Sequence, residues 1–370
     1  MSILNATRHM NLKKVINASG RMSILGVSTL SDDVLEAMAY GGKHYFEMKD
    51  LHEEAGQLVA QYMNTEAAMI TNSASSAIAL AVAGMITRDD ASVERLFEKR
   101  HERPGDILIM TGHLIDYGAP VEVMIQLGGG TVKTVGYANG CTLEQIEQAV
   151  DDNTRAMLFV QSHHCVQKNM PSLKAVGKLM KELNIPFIVD AAAESDLSSY
   201  ASDADLLIYS GSKAIEGPTS GILAGRKTYV DFAKQHNRGI GRAMKVGKES
   251  IFGLLKALEV YAAFDANDDQ EKQLAIIEAL QCLNDVPGIK VALHEDEAGR
   301  AINRARVSID QHRAPHDAAH VIHALKEGNV AVYTRDYNVN NGFFDIDPRS
   351  LDIADAQYIC DKIKQIMGVS

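Results

Sequence analysis

From residue 106 onward, short apolar runs alternate with segments whose apolar residues recur at helical spacing. DILIM (106–110), VKTVG (132–136), AMLFV (156–160), PFIVD (186–190), LLIYS (206–210) and GILAG (221–225) predict strands. Between them, TLEQIEQAV carries Thr142 and Gln145 at capping-box spacing. PSLKAVGKLMKEL sets Leu173, Val176, Leu179, Met180 and Leu183 on one helical face. This alternation predicts an α/β domain, a mostly parallel sheet with helices on both faces. Such sheets collect ligands beyond the carboxyl ends of their strands, where Asp190 and Lys213 fall.

Past about residue 245 the pattern changes. KESIFGLLKALEVYAAF predicts a long helix, and short strands such as IKVALH and AVYTR follow among further helices. A smaller α+β C-terminal domain over residues 246–370 fits this texture. Residues 1–40 are too few to build a core and are expected to pack on that small domain. The large ligand-binding domain then spans 41–245. There is no internal repeat.

Composition narrows the class. The 370 residues are 46% hydrophobic and 23% charged, the mixture of a globular protein. A net charge of −11 argues against a nucleic-acid partner or an anionic membrane surface. Cys141, Cys165, Cys282 and Cys360 show no metal or C-x-x-C spacing, which suits reduced thiols. No run approaches membrane-spanning length and the first residues lack a signal-peptide core, so a cytoplasmic location is expected.

Candidate chemistry centres on Lys213. A lysine carried inward by an apolar strand loses charge to desolvation and becomes an amine nucleophile or base. Pyridoxal phosphate (PLP) enzymes need such an amine, and a carboxylate to keep the pyridine nitrogen protonated; Asp190 suits that second role. Read singly, Lys213 is a loop residue and Asp190 a helix cap. Their context favours the pair. In MITNSASSAIALAVAGM an apolar strand passes through Asn72, Ser73, Ala74, Ser75 and Ser76 into a helix, an arrangement that offers N–H groups and hydroxyls to a phosphate. Taken alone it is a serine-rich N-cap. Ser210 and Ser212 can add hydroxyls, and His113 offers a ring to stack on a cofactor or serves as a core histidine. QSHHCVQKN (161–169) has no second ligand cluster, so no metal site is expected. Dinucleotide and P-loop fingerprints are missing. Arg238, Arg242, Lys245 and Lys248 follow at spacings of four, three and three, approximating one helical face that either is solvated or reaches a phosphate. Arg335, with Arg349 as second choice, suits a substrate carboxylate, although both can equally be surface arginines.

DAAAESDL…YSGSKAIEGPTSGILAGRK, NRGIGRAMKVGKESIFGLLKALE and VYTRDYNVNNGFFDIDPRSL resemble segments of fold-type I PLP enzymes, in the branch that contains bacterial selenocysteine synthase. The resemblance spans roughly residues 15–350. It implies an aspartate-aminotransferase-like fold, Lys213 as the Schiff-base lysine, Asp190 as the pyridine-nitrogen partner, and a homo-oligomer, at least a dimer, with shared active sites. Within the branch the pattern looks like the D-glucosaminate-6-phosphate ammonia-lyase group, since the chain begins almost directly at INASG, without the tRNA-binding extension. A phosphorylated amino sugar acid is the small anionic substrate this implies. A lyase or transferase for sulfur amino acids, selenium transfer to seryl-tRNA, and a non-catalytic α/β binding protein remain as alternatives.

Overall fold

The computed structural model describes residues 11–90, 96, 105–162, 164–263, 266–296 and 302–369. By contact the chain divides into a larger unit, Leu30–Ala263, and a smaller one made of Met1–Thr29 with Phe264–Ser370. β1 (Lys14–Ala18) belongs to the smaller unit. The larger begins with α1 (Asp32–Lys43) and α2 (Met48–Tyr62), followed by β2 (Ala67–Thr71), α3 (Ala74–Thr87), β3 (Asp106–Met110), α4 (Val121–Leu127), β4 (Thr131–Val135), α5 (Leu143–Ala149) and β5 (Thr154–Val160). It continues through α6 (Leu173–Glu182), β6 (Phe187–Asp190), β7 (Leu206–Ser210), β8 (Gly221–Gly225), α7 (Lys227–Gln235) and α8 (Lys248–Ala262). Residues 30–40 and 246–263 therefore lie with the larger unit, whereas the sequence reading assigns them elsewhere. The reason is that α1 packs along α8.

The strands of the larger unit form one sheet in the order β2-β8-β7-β6-β5-β3-β4. β8 runs antiparallel to β2 and β7, and the remaining pairs are parallel. β5 shows why its sequence reads as one unbroken apolar run. Met157 and Phe159 enter the core on one face, and Ala156, Leu158 and Val160 enter the core on the other. α3 is buried from Ser76 to Thr87, which accounts for its nearly polar-free sequence. The capping box at Thr142 and Gln145 forms as the spacing predicts.

In the smaller unit, β1 pairs in parallel with β11 (Val330–Thr334). β9 (Ile289–Glu295), β10 (Asn303–Ile309) and β12 (Phe343–Ile346) form an antiparallel sheet with β10 at its centre. α9 (Ala266–Leu280), α10 (Ala318–Leu325) and α11 (Ile353–Ile366) complete the unit, around a core that includes Ile16, Val291, Val307, Phe344 and Ile359.

Candidate active site

β6 ends at Asp190, whose carboxylate is 6% exposed and accepts the Ala192 N–H at 3.0 Å. Burial raises its pKa, while that N–H and the Lys213 charge oppose the rise. Lys213 follows β7 in a turn closed by Glu216 N–H on Lys213 O and Gly217 N–H on Gly211 O. Burial holds its amine below the usual lysine range, and Asp190 pulls the other way. Each group feels the other's charge, yet no ion pair joins them among the described residues. Two ionisable groups thus share a low-dielectric region without pairing directly. Beside Lys213, Ser210 and Ser212 place their hydroxyl oxygens 3.2 Å apart.

The segment after β2 is a helix N-terminus. Ser73 caps α3 by accepting the Ser76 N–H at 3.1 Å, and Ser76 Oγ reaches Asn72 Oδ1 at 2.5 Å. Ser73 and Ser76 therefore spend their hydroxyls on fixing the turn. The amides of Ala74 and Ser75, in the first turn, have no intrahelical acceptor and point where an anion is favoured. Gly221, the first residue of β8, approaches so closely that a Cβ there would meet the Ser73 carbonyl and the Ala74 nitrogen. Only glycine lets the strand pass.

His113 ends a short 3-10 turn after β3 and is 1% exposed. Its Nδ1 accepts the Val160 N–H at 3.2 Å, and its ring stands edge-on to Phe159 at 4.5 Å. Burial lowers its pKa to about 4, so it is a neutral ring. Sequence reasoning missed Tyr117, four residues on. The buried Tyr117 hydroxyl lies beside the Ser75 hydroxyl and within reach of the Asp190 charge, and it makes no hydrogen bond of normal geometry among the described residues. Cys165, also missed, is buried where desolvation, aided by the Asp190 charge, pushes its thiol up to about 12. Both sit beyond strand ends, the one signal that points to them. Of the run 161–169, His163 lies outside the described residues. No group of three or more His, Cys, Asp or Glu capable of holding a metal occurs among the described residues.

The basic run departs from its expected helical face. His236–Arg238 and Ile240–Met244 are separate 3-10 turns divided by Gly239, Lys245 is extended, and Lys248 opens α8. The glycines at 239, 241 and 247 break the helical path. Lys248 Nζ is committed to Gly41 O and Gly42 O at 2.6 and 2.8 Å, where it caps the end of α1. Arg238, Arg242 and Lys245 are exposed and make no ion pair among the described residues. The Met244 carbonyl accepts the Asn72 N–H at 3.4 Å, so this segment adjoins the start of α3.

In the smaller unit, Arg349 grips Asp347 with two bonds of 2.8 Å, and Arg304 binds the same carboxylate at 3.2 Å and Asp296 at 2.7 Å. Arg349 thereby commits its Nε and Nη2 donors to Asp347. Arg335 has no carboxylate partner among the described residues; its guanidinium reaches Ser19 O at 3.4 Å and lies 5.3 Å from the Tyr337 ring.

The larger unit fits pyridoxal phosphate on these observations. It supplies a desolvated amine, a buried carboxylate left unpaired beside it, a neutral imidazole, a helix N-terminus with free amides, and one orphaned hydroxyl, that of Tyr117.

Comparison with known proteins agrees. The family model described as L-seryl-tRNA selenium transferase matches residues 15–294. A D-glucosaminate-6-phosphate ammonia lyase of Salmonella typhimurium is 40% identical over 363 residues, 98% of each chain. A 5'-C-glycyluridine monooxygenase-decarboxylase from Streptomyces is 32% identical, over 97% of this chain and 91% of its own. The solved structure of a D-glucosaminate-6-phosphate ammonia-lyase superposes with a TM-score of 0.92 at 38% identity, covering 99% of both chains. An aspartate aminotransferase from Thermotoga maritima shares the fold, with a TM-score of 0.54 at 17% identity over 96% and 92% of the two chains.

Proposed function

The chain belongs to the L-seryl-tRNA selenium transferase family, and on that premise we propose that it is a PLP-dependent ammonia-lyase. It removes ammonia from D-glucosaminate-6-phosphate to give 2-keto-3-deoxy-6-phosphogluconate, the water eliminated across Cα and Cβ being matched by one taken up as ammonia leaves. The observation that carries the reading is the pairing of Lys213 with Asp190, coupled by charge in one buried space yet not bonded to each other.

Pyridoxal phosphate, when bound, supplies an electron sink for the pair left as the Cα–H bond breaks. Asp190 would keep the proton on its pyridine nitrogen, and the Ala74 and Ser75 amides with the Ser75, Ser210 and Ser212 hydroxyls would hold its phosphate. Tyr117 adds its buried hydroxyl, and His113 lends a neutral ring. Lys213, whose amine burial holds below the usual lysine range, removes the Cα proton of the substrate. The Cβ hydroxyl then takes up a proton and leaves as water, and a water taken up in its place releases ammonia and the keto acid. Arg335 is assigned to the substrate carboxylate, and Arg238, Arg242 and Lys245 to a phosphate, that of the substrate or of a neighbouring subunit's cofactor. The active form is at least a dimer.

The test follows ammonia and keto acid from D-glucosaminate-6-phosphate, with D-glucosaminate and L-serine as controls. Losing the phosphate contacts makes the unphosphorylated compound poorer by roughly 30- to 150-fold. If the phosphorylated compound yields no keto acid while a sulfur amino acid does, the assignment fails.

A further inference from the structure

His236 follows α7 directly and is fully buried. Its Nε2 meets the Thr87 hydroxyl at 2.8 Å, and that hydroxyl donates to Ala83 O at 2.9 Å. A hydroxyl has one proton, so with that proton on Ala83 O it is the His236 Nε2–H that donates to Thr87. Nδ1 is then a bare acceptor, and it has no partner among the described residues. Burial lowers the pKa of the ring, which is therefore neutral. Packing alone would be served better by an apolar side chain, since a half-satisfied imidazole in a dry site carries a desolvation cost.

What the bond holds is the segment that bears two of the arginines. Thr87 is the last residue of α3, and Met244 O accepts the N–H of Asn72, just ahead of that helix. The segment from His236 to Met244 thus runs the length of α3, about 20 Å, tied at one end by the imidazole and at the other by a backbone bond. Between the ties, Ile240 packs on the apolar cluster that contains α3. Gly241 comes so near that a Cβ there would lie 2.7 Å from His236 O. Arg238 and Arg242 are exposed, and their side chains make no ion pair among the described residues. Their guanidinium groups are therefore placed by this backbone alone.

We propose that His236 is a positioning residue, whose bond to Thr87 fixes the segment 236–244 along α3 and so holds Arg238 and Arg242 where they bind a phosphate. The inference rests on the assignment of those arginines to a phosphate, the substrate's or a cofactor's. His236 itself touches neither ligand; it acts through the backbone.

Thr87→Val in the holoprotein is the test, because it replaces the hydroxyl by a methyl group at the end of α3 remote from Asn72. Amide hydrogen exchange over residues 236–244 quickens. Affinity for inorganic phosphate, read by calorimetry, falls about 3- to 10-fold, the worth of one neutral hydrogen bond. KM for D-glucosaminate-6-phosphate rises by a similar factor with kcat within about twofold, and D-glucosaminate is turned over as before. If the phosphate is a cofactor's, the loss appears instead in the dissociation constant for pyridoxal phosphate. His236→Gln, whose amide can still donate to Thr87, keeps most of the affinity, and His236→Leu repeats the comparison should Thr87→Val fold poorly. The proposal is overturned if exchange over 236–244 does not change, if it quickens while affinity for inorganic phosphate, KM and cofactor affinity all stay as they were, or if kcat falls alike with both substrates. Exchange and calorimetry need no turnover, so they still decide the matter if the parent enzyme makes no keto acid, an outcome that sinks the lyase reading alone.

Discussion

Val160 donates its backbone N–H to Nδ1 of His113 at 3.2 Å, which assigns the ring's own proton to Nε2. The ring is therefore neutral and singly oriented, and protonating it would break that bond inside a dry pocket. Its pKa is about 4 in the fold against 6.5 in the unfolded chain, so between these values the unfolded state binds the extra proton. The sign follows: stability is full above about pH 6.5 and falls as pH drops toward 4, by on the order of 3 kcal/mol. Urea unfolding at pH 7 and pH 4.5 measures this, and His113→Gln flattens the difference. An equal slope in both proteins removes His113 as the cause.

Tyr117→Phe deletes a buried hydroxyl whose neighbour in the protein, Ser75, makes no hydrogen bond of normal geometry with it. Without cofactor, the variant unfolds at the same or a slightly higher temperature. Affinity for pyridoxal phosphate falls by roughly 10- to 100-fold, the worth of a hydrogen bond to a charged group. A loss of apo-stability with unchanged affinity would show that the hydroxyl serves the fold alone.

Asp190→Asn keeps the shape of the site and removes the charge. The variant retains the cofactor, but Cα-proton exchange and turnover drop by on the order of 10²- to 10⁴-fold. Exchange within threefold or so of the parent enzyme would sink the assigned role. Lys213 itself is checked by borohydride reduction and peptide mapping, which place the pyridoxyl group on that residue and no other.

Mixing Lys213→Ala subunits with Arg242→Ala subunits examines the shared-site reading. Each variant alone is inactive or nearly so, and hybrids recover activity if Arg242 serves a neighbour's site. No recovery, with subunit exchange demonstrated by mass, leaves Arg242 acting within its own chain.

Asp347 is fully buried between Arg349 and Arg304, which hold its carboxyl at about 2. Its contribution is present above the unfolded value of 3.8 and is lost as pH falls from there toward 2. At pH 7, Asp347→Asn leaves the half-buried Arg349 without its carboxylate partner and the buried Arg304 with Asp296 alone, and costs about 3–5 kcal/mol. A change below 1 kcal/mol or so in equilibrium unfolding would falsify this account.

Much of the larger unit is legible because its strands are buried on both faces and so stand out as apolar runs. LLIYS and GILAG match β7 and β8 residue for residue. Lys213 and Asp190 could be picked out because each follows directly on such a run. Tyr117 could not, since its relation to Ser75 joins loops after two different strands and no local pattern encodes it. The basic run misled for a local reason: spacing suggested a helix, while Gly239, Gly241 and Gly247 made helical continuity costly. Lys248 likewise looked like a ligand group because its target, the carbonyl end of α1, lies more than two hundred residues earlier.

β1 emerges from the ribosome before any of the larger unit, and β11, its partner, only after all of it. The larger unit is therefore complete and able to fold while the opening strand still waits, its edge unpaired. A chain stalled shortly before Val330, with α8 clear of the ribosome, carries a finished α/β unit led by an open β-edge. Synthesis of the last hundred residues is what takes that edge out of reach of other chains.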